Sequence, residues 1–358
     1  MAPTVDPVLV ERAARPGFAG RPAVDVRGAA RLTTAVQAQD GPAARLGVRS
    51  RTAGVTEADV AAAISARTVV RSWFMRATIH LVDADDVRWL SALFGPSIEQ
   101  RFRKRWLDMG LTPALRAACE AALPHVLADG PRTRAAIGAA LAERGIALPD
   151  TDPQIGTHVL LSATAVGLLC RAEDTGREAT FVLLDDWLPP GAPGPRGDDA
   201  LAELARRYFA AFSPATAADF TTWSGLPARR AVELIRDEVT PVEVHGRAGF
   251  RLGEAEGARC LRLLAGFDNY LVGYRHRDEL LAPALRPQVY VGGIITPALL
   301  IDGRITGRWR LTRRRDHADV HVTLFEPLVR AHRTQLEAEV VDISRFLALP
   351  TSLTIGST

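Results

Sequence analysis

A helical run, a turn, a second helix and a β-rich pair recur three times along this sequence. Such a recurrence bounds the fold before any single residue does, because each copy is one supersecondary unit that buries its apolar face against its neighbours. In the first copy, GAARLTTAVQAQ and TEADVAAAISARTVV read as helices and VVRSWFMRATIHLV as a strand pair. In the second, TPALRAACEAALPHVLADG, GPRTRAAIGAALAERG and DPQIGTHVLLSATAVG are helical, and LLCRAEDTGREATFVLL reads as two strands around the turn Asp174-Thr175-Gly176. In the third, DDALAELARRYFAAFS and SPATAADFTTWSGLPARRAVELI supply the helices, with Ser224-Gly225-Leu226-Pro227 as the turn, and PVEVHGRAGFRL is a hairpin. Helix, helix, turn, helix and hairpin is the winged-helix outline. Pro-Arg-Thr ending at Thr133 and Pro-Ala-Thr ending at Thr216 open their helices with the same type of capping residue.

The expected fold class is therefore α+β, with tandem winged helices at residues 1–112, 113–190 and 198–258, then a β-rich C-terminal element at 259–358. In that last element short apolar strands follow one another, Asp302-Gly303 marks a hairpin, and RAHRTQLEAEVVDISRFLAL forms a final helix. LPPGAPGPRGDD, residues 188–199, is the clearest linker. The usual use of a winged helix is to set a helix in a DNA groove, so duplex DNA is the expected partner. Protein interaction is its other use.

Composition narrows the rest. The 358 residues are 47% hydrophobic and 24% charged, an ordinary globular balance. No run of eighteen apolar residues occurs, so no membrane span is expected. MAPTVDPVLVERAARPG lacks a signal-peptide core, and a cytoplasmic protein, nucleoid-associated when on DNA, is expected. Cys119, Cys170 and Cys260 are widely spaced and read as reduced, buried thiols. The net charge is only +3, yet Lys104 is the only lysine, so 43 of the 44 basic residues are arginine. A GC-rich coding genome accounts for that bias alone, but RFRKRW, YRHRD and LTRRRD cluster it into patches suited to phosphate. Asp316, His317, Asp319 and His321 invite a metal reading, but VHVTLF reads as strand and loses the helical ligand spacing, so no metal is expected. The chain has no GxGxxG after a strand, no P-loop, no GxSxG and no HExxH, which removes nucleotide cofactors and the common hydrolase sites; no cofactor is expected.

TTAVQAQD, residues 33–40, is the stretch that composition does not explain. Gln37 and Gln39 flank one small residue, and Asp40-Gly41-Pro42 reads as a helix stop. Positions i and i+2 point apart in a helix and together in an extended or helix-end segment. Two solvated amides at a helix end fit the same spacing.

VQAQD, RSWFMRATIHLV, TWSGL, FDNYLVGYRHRDELL and GRITGRWR, in that order, resemble the marks of the winged-helix superfamily of DNA glycosylases, the AlkZ- and YcaQ-like proteins, over nearly the whole chain. The resemblance implies tandem winged helices in a C-shaped arrangement whose concave surface holds duplex DNA. The AlkZ branch carries Gln, an apolar residue, then Gln; the YcaQ branch usually has Asp in the second place. Gln37-Ala38-Gln39 is therefore similar to the AlkZ branch. What this implies is a monomeric, monofunctional DNA glycosylase that excises bulky N7-alkylpurines and unhooks azinomycin-type interstrand crosslinks, giving self-resistance to a toxin producer. Gln37 and Gln39 are the implied catalytic residues, with Asp40 and His80 in possible support. The candidate DNA contacts are Arg76 and Thr78, His245 and Arg247 at the third hairpin's tip, and Arg275, Arg277, Arg313 and Arg314. Asp268 and Asp278 are the structural alternative as partners of Arg275 and Arg277.

Two amides suit this chemistry. Glutamine neither gives nor takes a proton near neutrality, which would disqualify it in most hydrolases. An N7-alkylpurine is already cationic and leaves without protonation. The enzyme must hold a water under the anomeric carbon and stabilise the sugar cation, and two fixed carbonyl dipoles do both. Asp40 ranks behind them because it also reads as a turn former at the helix end. With no lysine near the pair in sequence, no Schiff-base lyase step is expected. Only 6% of the chain is aromatic and no dense aromatic cluster falls near Gln37, so an open site acting on an unflipped or partly displaced nucleotide is expected. The alternative is a non-catalytic DNA-binding regulator or lesion sensor, which would dimerise on palindromic half-sites. A protein-interaction scaffold would show no DNA affinity.

Overall fold

The structure, a computed structural model, describes residues 5–191, 194–254 and 257–357; Ala192 and Pro193 of the expected linker lie outside the described residues. The chain forms two compact units, residues 63–201 and residues 1–62 with 202–358.

In the 63–201 unit, five strands make one sheet in the order Ile79–Asp83, Val69–Trp73, Leu169–Arg171, Thr180–Leu183, Arg132–Thr133. The first and second strand pairs of the repeat meet where Arg71 stands opposite Arg171. Every residue of Val69–Trp73 and Ile79–Asp83 is buried. Buried Arg71 is tolerated there because Asp174 accepts from it at 2.7 Å and the Ala172 carbonyl at 2.8 Å. Helices Pro113–Val126 and Arg134–Glu143 are capped by Thr112 and Thr133, whose hydroxyls accept from the Leu115 and Ala136 N–H groups. Helix Val87–Asp108, 22 residues long, has no counterpart in the repeat outline and carries Arg101, Arg103, Lys104 and Arg105 exposed on its last turns. It packs on helix Ile155–Ala165 at Gly95, where an added Cβ would collide with the Ala165 carbonyl.

In the other unit, helix Ala217–Ser224 begins with a capping box, Thr216 and Asp219 each accepting from the other's N–H. Ala228–Leu234 follows, then the hairpin Thr240–Val244 and Arg247–Arg251. His245 (φ 49°) and Gly246 (φ 75°) form its two-residue turn in the left-handed region. Tyr208, Phe209, Phe212, Phe220 and Trp223 pack into one aromatic core through stacked, tilted and edge-on contacts, joined by Tyr274 edge-on to Phe212. A five-stranded sheet closes the chain in the order Leu261–Leu264, Ala298–Ile301, Arg304–Arg313, Ala318–Leu324, Thr351–Ser357. Asp302-Gly303 is the expected hairpin turn, with φ of 49° and 86°. The last strand, absent from the sequence reading, pairs parallel with Ala318–Leu324 after the crossover helix Arg330–Leu347. Among the described residues no helix is long and apolar enough to cross a membrane.

The α+β class stands. The compact units group the repeat segments in their own way: parts of 1–112 and 113–190 share a sheet, while 1–62 belongs with the segments from 202 onward. One expected helix is shorter. GAARLTTAVQAQ, residues 28–39, is helical only as far as Leu32, the end of helix Val26–Leu32; Thr34 turns out of the helix at φ 65° and Val36–Gln37 is extended. All three cysteines are free and buried. Burial pushes the Cys119 thiol up to about 11 and those of Cys170 and Cys260 up to about 12, which leaves them as inert thiols.

Glycine to alanine inside a helix ordinarily stabilises by up to about 1 kcal/mol. At Gly95 the sign is expected to reverse, because two helix backbones meet there. Gly95→Ala should destabilise by about 1–3 kcal/mol, read as a lower urea midpoint with an unchanged m-value.

Candidate active site

Gln37 and Gln39 sit on a short crossing between helices Val26–Leu32 and Gly41–Arg49, extended at Val36–Gln37 and bent at Gln39. Asp40-Gly41-Pro42 is a start and not a stop. Asp40 is the N-cap of Gly41–Arg49, its Oδ1 accepting from the Ala43 N–H at 2.8 Å, with Pro42 in the first turn. Its place after Gln39 is thus set by a cap. Gly47 of that helix lies under the crossing, where a Cβ would stand 3.1 Å from Val36 Cγ1. Gln37 is 8% exposed and Ala38 1%, while Gln39 and Asp40 are open to solvent.

A side-chain amide holds this crossing along one edge. Asn269 Oδ1 accepts from the Gln37 N–H at 3.3 Å, and its Nδ2 donates to the Ala35 carbonyl. Asn269 opens the helical turn Asn269–Val272, capped by Asp268, whose Oδ1 accepts from the Tyr270 N–H at 2.9 Å. Asp268 takes both terminal nitrogens of Arg51, at 2.7 and 2.6 Å. Arg51 also donates to the Gly47 carbonyl at 2.8 Å and lies 4.8 Å over the Phe18 ring. Both side chains of the pair are sealed, 2% and 0% exposed.

The remaining candidates divide by environment. His80 is buried; its Nδ1 donates to the Thr78 carbonyl at 2.9 Å, which leaves Nε2 as an acceptor in the neutral ring. Burial first, and then Arg76, bring its pKa down to about 3. A ring that resists protonation this strongly is no general acid near neutrality. Arg76 and Thr78 are half-buried in the turn between the two strands, where Arg76 (φ 57°) is left-handed. His245 pairs with Asp6 at 2.7 Å and Arg247 with Glu279 at 3.0 Å, so both are engaged within the protein. Arg277 donates to the Tyr274 carbonyl and stacks 4.7 Å over Tyr290. Arg313 pairs with Glu57 at 2.7 Å. Arg275 and Arg314 present exposed side chains. Neither carboxylate suggested for Arg275 and Arg277 serves them: Asp268 belongs to Arg51, and Asp278 pairs with Arg286. His317 pairs with Asp316 at 2.8 Å in an exposed turn.

Asp40 also borders an apolar recess of about 470 Å³, walled by Leu46, Phe267, Trp309, Leu311 and Phe346. Neither glutamine lines it. Its aromatic residues come from the C-terminal element, far from Gln37 in sequence, which is why low local aromatic content did not foretell it.

A sequence model of the AlkZ-like DNA glycosylases matches residues 30–346. The chain belongs to the AlkZ-like family of DNA glycosylases. It is accordingly an enzyme that hydrolyses N-glycosyl bonds. It is 28% identical over 335 residues to a Streptomyces sahachiroi protein named interstrand DNA cross-link repair glycosylase, with 87% of each chain covered. The structure of Streptomyces sahachiroi DNA glycosylase AlkZ matches with a TM-score of 0.85 at 24% identity over 98% of each chain, and so shares the fold.

Asn269 and the Arg51–Asp268 pair were missed as site residues, although FDNY lies within one of the resembling motifs. Nothing in spacing joins residues 37 and 269, and only the fold does. Asn269→Ala should leave a folded protein whose single-turnover base release falls about 10–100-fold with DNA affinity kept, because the crossing loses both tethers. Arg51→Met strands a buried carboxylate and should cost about 3–5 kcal/mol in urea unfolding. His80 binds a proton in the unfolded chain below about pH 6.5 and in the folded one only near 3. Stability should therefore fall as pH drops through that window, by at most about 1.4 kcal/mol per pH unit from this group. Urea midpoints against pH should show a shallower slope in His80→Gln.

Proposed function

We propose that this chain excises bulky N7-alkylpurine adducts from duplex DNA and unhooks interstrand crosslinks, working as a cytoplasmic monomer without cofactor. The observation that carries the reading is Gln37-Ala38-Gln39, with the backbone at Ala35 and Gln37 held by Asn269 and Gln39 open to solvent. Gln37 ends the extended pair Val36–Gln37 and Gln39 follows in the bend before helix Gly41–Arg49, and the reading has both amides turned to one target when DNA is bound. The relative named for crosslink repair supports the substrate class.

The adducted purine departs as a neutral base because its N7 was already alkylated and cationic. Positive charge moves to the deoxyribose as the C1′–N9 bond breaks. The carbonyl oxygens of Gln37 and Gln39 face that charge and hold the water that attacks C1′; the water's proton passes to solvent. Their value lies in being fixed before the bond breaks. Asp40 is engaged as a helix cap and adds negative charge nearby. Lys104, the only lysine, lies far from the pair in sequence, and the reading takes the product to be an abasic site with the strand intact. Arg275 and Arg314 carry phosphate contacts best, being exposed; Arg76 and Thr78 remain candidates on the strand turn. Arg247, Arg277 and Arg313 act first as internal braces.

Base release from duplexes carrying N7-methylguanine and a bulkier N7 adduct tests this directly. Gln37→Ala and Gln39→Ala should each lower the rate by about 10²–10³, with DNA binding retained. Full rates in both variants, or no release by the wild type from either duplex, would overturn the reading.

A further inference from the structure

The recess beside Asp40 has a size and a lining that the hydrolysis itself does not call for. Its volume, about 470 Å³, falls among ordinary small-molecule pockets, roughly 300–1,000 Å³. A methyl group would leave it empty. We propose that this recess receives the apolar substituent that the lesion carries on N7, which rests on the glycosylase reading above and extends it to how bulky adducts are recognised.

Three observations favour the substituent over the purine itself. The first is place. Asp40 belongs both to the recess and to the crossing, one residue beyond Gln39, so a group attached to the reacting nucleotide reaches it without leaving the site. The second is chemistry. A pocket that takes a flipped base reads its edge with hydrogen bonds. Here Trp309 Nε1 already donates to the Leu264 carbonyl at 2.7 Å, and Thr296 Oγ1 to the Val289 carbonyl at 3.3 Å. Arg45 and Arg313 are both drawn onto Glu57, at 2.9 and 2.7 Å. Apart from Asp40 and Arg310, the recess presents a wall of Leu46, Phe267, Leu311 and Phe346, which suits hydrocarbon or an arene. The third is the lip. Ile294, on the hairpin Tyr290–Val291 and Ile294–Ile295, lines the recess yet is 55% exposed, an apolar side chain that an occupant would cover. Arg310, exposed among the lining residues, supplies a positive charge of the kind expected where a DNA backbone passes.

The test compares N7-methylguanine with N7-benzylguanine in the same duplex. Leu311→Trp fills the recess from the sheet, and Ala43→Phe fills it from helix Gly41–Arg49, so a folding defect in one is checked by the other. Release of benzylguanine should fall about 10-fold or more in each variant, while methylguanine release stays within about twofold of wild type and reports an intact fold and active site. An equal loss on both duplexes means the recess holds the base or only supports the structure, and overturns the inference. Unchanged release of both overturns it as well. Wild-type release of methylguanine without benzylguanine also overturns it and leaves the glycosylase reading standing. No release from either duplex removes both.

Discussion

The buried pair of Arg51 and Asp268 is the constraint on which the site depends. The two residues are 217 positions apart in sequence and meet through two charge-assisted hydrogen bonds at 2.7 and 2.6 Å, sealed from solvent. Burying two charges is unfavourable unless every remaining donor and acceptor is engaged. Here the Gly47 carbonyl, the Ser50 hydroxyl and the Tyr270 N–H engage the groups left over except Arg51 Nε, which has no hydrogen-bond partner among the described residues, and the Phe18 ring covers the guanidinium. The geometry is therefore over-determined. Two consequences reach Gln37. Asn269 follows Asp268 directly, so the amide that tethers the crossing inherits its position from the ion pair. Gly47, bound to Arg51, lies beneath Val36. The crossing is gripped on its edge and its underside by the two ends of one interaction.

Local rules made much of this fold legible. Thr133 and Thr216 cap the helices they were expected to open, and Asp302-Gly303 turns the hairpin it was expected to turn. Those signals lie within four residues of their effects. Where the reading failed, the deciding contact was distant or the local signal had two meanings. Asp-Gly-Pro ends one helix as readily as it starts another, and the N–H groups of Gly41–Arg49 made it a start. Thr33-Thr34 broke the helix before Gln37, a weak preference of β-branched residues that periodicity outvoted in sequence. The strand Thr351–Ser357 has a polar, half-exposed character because it lies at a sheet edge, and nothing in its own residues announces a parallel partner.

The candidate site was legible in one respect and hidden in another. Gln37 and Gln39 stood out as a motif within a resemblance that spanned the chain. Asn269, Asp268 and Arg51 carry no such mark, since a tether is recognised only by what it touches. Several arginines singled out for DNA proved to be braces: Arg247 on Glu279, Arg277 on Tyr290, Arg313 on Glu57. In a chain whose cations are nearly all arginine, a cluster in sequence says little about which guanidinium faces outward.

The chemistry proposed for this site has an uncommon property: neither amide ionises, His80 stays neutral to about pH 3, and the leaving base needs no proton. The most direct measurement is the single-turnover rate of base release from N7-alkylguanine duplexes against pH, over the range in which the enzyme stays folded. The account predicts a rate that is flat from about pH 5 to pH 9, because no group changes charge in reaching the transition state. A sigmoid or bell-shaped profile would show a titrating acid or base in the rate-determining step and would contradict hydrolysis by two fixed amides.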